Sequence, residues 1–198
     1  MQKFVCKITK VILLFMVMAY YTASLSTVSA EATRGNHLAP ITIIEYVDFQ
    51  CPDCVQAKKI VDQVLDKYDG KVQLKLKHYP HATHPFAISA AQVFEALSRQ
   101  DEEKAWKFYD LSMAEQPVLK TGNSGLQYLV DKLNLSESEK DQLNRDLGDP
   151  TIEQAIKNDM EEENKLGFHS TPAFFINGIH LANATSLDDF SKVIDSLL

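Results

Sequence analysis

Two of the chain's three cysteines stand three residues apart, in Cys51-Pro52-Asp53-Cys54. Thiols at that spacing can reach each other and exchange two electrons as dithiol and disulfide, or they can supply half of a thiolate metal site. As a structural staple the pair would add little, because a bond between them closes almost no loop. A zinc site needs about four ligands, and no second Cys-x-x-Cys or paired Cys/His motif stands elsewhere in the sequence. His78, His81 and His84 are spaced as ligands could be, but equally as an ordinary surface loop could be. Redox chemistry is the reading the pair favours, and a non-enzymatic metal-binding protein is its rival.

What the pair does depends on where the chain goes. Lys3, Lys7 and Lys10 open the sequence, an apolar run from Val11 to Tyr21 follows, and small residues end in Val28-Ser29-Ala30. That layout predicts a secretory signal peptide over residues 1–30, cleaved after Ala30. The apolar run is too short for the ~20 residues that span a bilayer, and Thr22 to Ser29 are too polar to extend it. Cys6 leaves with the peptide, so Cys51 and Cys54 remain alone in an oxidising space such as the periplasm. Residues 31–198 hold 17 basic and 27 acidic side chains, an acidic balance that argues against a nucleic-acid partner. With 45% hydrophobic and 24% charged residues in the whole chain, collagen-like, low-complexity and disordered classes are excluded, and one globular domain is expected.

The elements that must position the cysteines can be traced by periodicity. Residues 31–38 are polar and read as a short leader. Ile41, Ile43, Glu45, Val47 and Phe49 then alternate with Thr42, Ile44, Tyr46 and Asp48, and apolar residues on both faces predict an interior strand. Pro52 suits the first turn of the helix that follows, whose stripe is Cys54, Ala57, Val61, Val64 and Tyr68, with Gly70 beyond its end. Val72, Leu74, Leu76 and His78 alternate with Gln73, Lys75, Lys77 and Tyr79, a strand with one wet face.

Helical stripes fill the middle: Ala87 to Leu97, then Ala105 to Met113 with Trp106, Phe108 and Tyr109 as core, then Leu126 to Leu133. Ser136 with Glu139 and Thr151 with Gln154 read as capping boxes of two more helices. The second of these ends near Gly167, and Glu161, Glu162 and Glu163 read as its solvated face. An apolar strand, Ala173 to Ile176, returns through the hairpin signal Asn177-Gly178, and Ser186 with Asp189 caps a last helix. The fold expected is α/β: a βαβ and a ββα unit sharing one mixed sheet flanked by helices, with a helical insertion at about 85–150.

The stretch Glu45-Tyr46-Val47-Asp48-Phe49-Gln50-Cys51-Pro52-Asp53-Cys54 and the later Thr171-Pro172-Ala173-Phe174-Phe175-Ile176-Asn177-Gly178 occur in the order found in one family. Over about residues 39–198 the chain resembles the DsbA-like branch of the thioredoxin-fold thiol–disulfide oxidoreductases. The resemblance implies an inserted helical subdomain in a thioredoxin fold. It implies a cis peptide at Thr171–Pro172, with Thr171 pairing its backbone to an extended substrate. It implies that Glu45 is a buried acid shuttling the proton of Cys54. Cysteine-containing secreted proteins would be the substrates. A membrane redox partner, a DsbB-like quinone-linked oxidase or a DsbD-like reductant, would reset the pair. No dissociable cofactor is implied beyond the Cys51–Cys54 disulfide. An oxidase is the first expectation and a reductase or isomerase the alternative. Isomerases of the family carry an N-terminal dimerisation domain, and with only residues 31–39 between the predicted cleavage site and the first strand a monomer is expected.

The residues support the same roles on physical grounds. Cys51 at a helix N-terminus meets unpaired N–H groups and the positive end of the macrodipole, which favour its thiolate. Cys54, a turn further in, is buried and less acidic, so Cys51 exchanges and Cys54 resolves. Glu45 on the face of Ile43 and Val47 should have a raised pKa. The strongest oxidase of the family has Pro-His between its cysteines where Pro52-Asp53 stands here. A carboxylate beside Cys51 would oppose its thiolate and make the disulfide a weaker oxidant, by at least the ~30 mV that matches about 1.4 kcal/mol.

Overall fold

The computed structural model describes residues 31–182 and 184–198. The predicted signal peptide concerns residues 1–30, outside the described residues. Five strands form one mixed sheet: β1 (Thr33–Gly35), β2 (Ile41–Val47), β3 (Val72–His78), β4 (Ala173–Ile176) and β5 (Ile179–His180), in the order β1-β3-β2-β4-β5. β2 and β3 are parallel and the other neighbours antiparallel. The parallel pair is joined by α1 (Pro52–Lys67), the crossover helix that parallel strands require. Between β3 and β4 run α2 (Ala87–Ser98), α3 (Glu102–Ala114), α4 (Gln116–Leu119), α5 (Asn123–Asp131), α6 (Glu137–Leu147) and α7 (Pro150–Lys165). The last described helix is α8 (Leu187–Leu197).

Alternation along β2 sends its two faces into two cores. Ile43 and Val47 join Leu74, Leu76, Val61, Phe94, Phe174 and Phe190 in the larger one. Tyr46 joins Tyr79, Ala173 and Phe175 in the smaller, against Met160 of α7 and Phe168. At the C-terminal end of β2, Phe49 is buried among His78, Phe94, Phe108 and Tyr109, with ring centroids 5.7–6.1 Å apart. That aromatic anchor fixes the short loop leading to Cys51.

Four expectations are corrected. The leader contains β1, which pairs antiparallel with β3 through Thr33, Arg34 and Gly35. The wet face of β3 is covered: Gln73 and Lys77 are buried, and Lys77 pairs with Glu162 at 2.5 Å and Glu31 at 3.3 Å. α7 is capped by Asp149, whose side chain accepts from Thr151 N at 2.8 Å, with Pro150 in its first turn. Thr151 is therefore inside the helix. Finally, the acidic run on α7 is not all solvated, since Glu163 is fully buried and Glu162 accepts from the Tyr46 hydroxyl at 2.8 Å. A helix lying across a sheet face turns some of its charges inward, and their period gives no warning of it. The box at Ser136 and Glu139 is present with both of its hydrogen bonds.

Candidate active site

Cys51 is the N-cap of α1, in extended backbone with φ −74° and ψ 120°, and its N–H donates to Asp48 O at 3.0 Å. Pro52 follows in the first turn, where a missing N–H costs nothing. The Sγ is largely covered and donates to the Thr171 carbonyl at 3.3 Å. Both cysteines are free thiols in this structure. A hydrogen bond from Cys54 is the main reason the Cys51 thiol is pulled down to about 5; Thr171 and the N–H groups of Cys54 and Asp53 add to it, against the opposing effect of burial. Cys54 is fully buried, and burial above all, with the neighbouring Cys51 and the charge of Glu45, holds its thiol well above the usual range. The two thiols thus divide into one acidic, at the helix start, and one held protonated and fully enclosed.

Glu45 points into the larger core with no exposed surface. It sits opposite Leu76 on one side and Phe174 on the other, so its flanking pairs in the sheet are apolar. Burial pushes its carboxyl up to about 8. A hydrogen bond from the Tyr109 hydroxyl to Oε2 at 3.2 Å and the cations of Lys58 and Arg34 work the other way. The charge of Glu45, where present, opposes ionisation of Cys54.

The Thr171–Pro172 peptide is cis. β4 starts one residue later with Ala173 opposite Tyr46, so this turn lies beyond the end of β2, beside Cys51. Cys51, Cys54, Glu45, Thr171 and Pro172 are thus brought together. Asp53 is placed differently: its carboxylate faces solvent, and what it gives Cys51 is its backbone N–H.

Gln116 carried no sequence signal, and Asp48 and Gln50 stood in the cysteine stretch with no role assigned to them. Gln116, at the start of α4, donates to Phe49 O at 3.1 Å and to Cys51 O at 2.8 Å, tying the cysteine loop to the helical layer. Gln50 accepts from Phe86 N at 2.8 Å and donates to Leu119 O at 3.4 Å. Asp48 is buried and accepts from Gln50 N at 2.6 Å and His81 N at 2.8 Å, and lies 2.7 Å from His84 Nδ1. His78 lies instead in the core, 3.0 Å from Glu95. His84 shares Asp48 with the backbone of His81, while His78 pairs with Glu95, so the three imidazoles do not converge on one centre.

A family model described as thioredoxin matches residues 27–196. The Na(+)/H(+) antiporter NhaA 3 of Salinispora tropica is 34% identical over 149 residues, 75% of this chain but 22% of the antiporter. The chain thus spans about a fifth to a quarter of the antiporters it resembles. The probable disulfide bond formation protein D of Bacillus anthracis is 28% identical over 177 residues, covering 86% of this chain and 79% of that protein. Among solved structures, alpha-DsbA1 of Wolbachia pipientis superposes with a TM-score of 0.71 at 25% identity, over 84% of this chain and 90% of that one. Oxidised BdbD of Bacillus subtilis shares the fold, with a TM-score of 0.69 at 20% identity over 84% and 92% of the two chains. By its family match, its relatives and its fold, the chain belongs to the thioredoxin family, in the DsbA-like branch.

Proposed function

We propose that the protein is an extracytoplasmic thiol–disulfide oxidoreductase that works as an oxidase of secreted proteins. The observation that supports this best is the contrast at the pair: a Cys51 thiol pulled down to about 5 beside a Cys54 thiol held high. A stabilised thiolate favours the dithiol, and a favoured dithiol makes its disulfide oxidising.

In the reaction a substrate thiolate attacks Cys51 Sγ of the disulfide. The Cys51–Cys54 bond breaks, and Cys54 leaves with a proton from Glu45. A second substrate thiolate then attacks the substrate sulfur of the mixed disulfide and releases Cys51 as the stabilised thiolate. Two substrate thiols lose two electrons and the enzyme gains them. The cysteine pair is the only redox group the scheme requires. Thr171 lays its backbone along the extended substrate. A quinone-linked membrane protein is the reoxidant, and the enzyme acts as a monomer.

Two measurements test this. Equilibration with glutathione should give a potential above that of a reducing thioredoxin, ≈ −270 mV. Thiol trapping in cells should find Cys51 and Cys54 largely oxidised. A largely reduced pair would mean that the protein is a reductase or isomerase fed by a membrane donor. Tight stoichiometric copper or zinc binding without disulfide exchange would make it a metal-binding protein.

A further inference from the structure

Glu45 is enclosed, yet two cations stand near it. Over the ring of Tyr109, which donates to Glu45, lie the Arg34 guanidinium at 5.8 Å from the centroid and Lys58 Nζ at 5.9 Å. Arg34 also covers the Trp106 ring at 4.6 Å and donates to its carbonyl at 3.1 Å. Both cations are held in place. Asp110 accepts from the two terminal nitrogens of Arg34 at 3.0 and 2.8 Å, and from Lys58 at 3.0 Å. Asp62 accepts from Lys58 at 2.6 Å and lies 3.9 Å from Arg34. Four charges from β1, α1 and α3 therefore form a closed ring above one tyrosine.

The ring is asymmetric in depth. The Lys58 and Arg34 side chains are 16% and 22% exposed, whereas Asp62 and Asp110 are each 44% exposed. Ion pairs at a surface add little to the stability of a fold, so stability alone is a weak account of four residues so arranged. Water screens the outer carboxylates more than the inner cations, and what reaches a buried group through the low-dielectric wall is net positive.

We propose that Arg34 and Lys58 are the counter-charges of Glu45 and act as positioning residues for the proton step at Cys54, with Asp62 and Asp110 holding them over Tyr109. This rests on the reading of Glu45 as the acid and base of Cys54. Groups facing Glu45 from other directions are Cys54 on α1 and, beyond Leu76 on β3, His78 with its partner Glu95 of α2. β4 contributes Phe174, which carries no charge. Burial and Cys54 hold the proton on Glu45, and the two cations draw it off. When Glu45 takes the Cys54 proton, the Cys54 sulfur attacks Cys51 of a mixed disulfide. The bond from Cys51 to the substrate breaks, and the substrate leaves as a thiolate that takes its proton from water. Without the cations, Glu45 would keep its proton to higher pH, and still less of it would be ionised to serve Cys54 as a base near neutrality.

An aromatic disulfide whose released thiolate absorbs light separates the steps in stopped flow. Its first burst reports attack by reduced Cys51, and the second reports resolution by Cys54. In Lys58→Met and in Arg34→Met, the pH midpoint of the second burst should rise by about half a pH unit, and by about one in the double variant. Lys58→Arg should restore the wild-type midpoint, a rescue that lost packing would not give. High salt should raise the wild-type midpoint by screening the cations. If Arg34→Met fails to fold, Lys58→Met and Lys58→Arg carry the test. A midpoint that stays in place in Lys58→Met, while Glu45→Gln abolishes the pH dependence, would overturn the counter-charge role and leave Glu45 in its own. A profile unchanged by Glu45→Gln would overturn both.

Discussion

Glu45 keeps its proton in the folded protein to about pH 8, against an ordinary value of 4.5. Because the folded value is raised, the stability this group contributes is full below pH 4.5 and is lost as pH rises through 8. Glu45→Gln removes the burden of burying a charge while keeping an acceptor for Tyr109. The variant should match the wild type near pH 4 and exceed it by roughly 4 kcal/mol at pH 8, read from urea midpoints. At the cysteines, Cys51→Ser should abolish turnover. Cys54→Ser should accumulate mixed disulfides through Cys51, visible on non-reducing gels, because the resolving sulfur is gone. Faster alkylation of Cys54 than of Cys51 would reverse their roles. The placement of these residues was legible because each rests on short-range pattern: a three-residue spacing, a helix start, a carboxylate in an alternating strand. Tyr109 read only as core and Arg34 only as part of a leader. Their partnership with Glu45 and Asp110 spans 64 and 76 residues of sequence, a distance no local pattern reports.

Elements were legible where one period dominated, as in β2, α1, α3 and α8. The misreadings share a cause: a segment whose polarity is answered by something distant in sequence. Lys77 reads as wet until α7 lies over it, and Asp149 competes with Thr151 for the same cap. Packing between short helices is equally silent. A Cβ added to Gly125 of α5 would come within 2.0 Å of the Val118 carbonyl oxygen and 2.5 Å of Thr121 Oγ1. Alanine favours a helix over glycine by ~1 kcal/mol, so propensity alone predicts that Gly125→Ala stabilises. The close approach predicts the reverse: a net loss of about 1–3 kcal/mol in chemical denaturation, as α5 is pushed from α4 and the Gln116 contacts to the cysteine loop loosen.

For the molecule as a whole, the redox state and the fold are linked through Cys51. Its folded value is depressed from 9.0 to about 5, so the stability it lends the reduced protein is present above pH 9 and lost as pH falls through 5. The oxidised protein has no such group. Melting temperatures of reduced and oxidised protein should therefore diverge in favour of the reduced form from pH 5 towards 9, and a constant gap would mean that the Cys51 thiolate is not specially stabilised. Asp53 should matter less than its type suggests. Its carboxylate stands in water, so Asp53→His should move the glutathione-derived potential in the oxidising direction by less than about 30 mV.

The sheet ends in β1, three residues long, and β5, two residues long. A strand edge invites other chains in proportion to its run of unpaired N–H and C=O groups, and runs this brief give an incoming chain almost nothing to add to. For a protein that, on our reading, spends its working life among unfolded clients, that brevity is a safeguard against co-aggregation. A client can align at the Thr171 turn, within reach of Cys51, and finds no comparable foothold along either margin of the sheet.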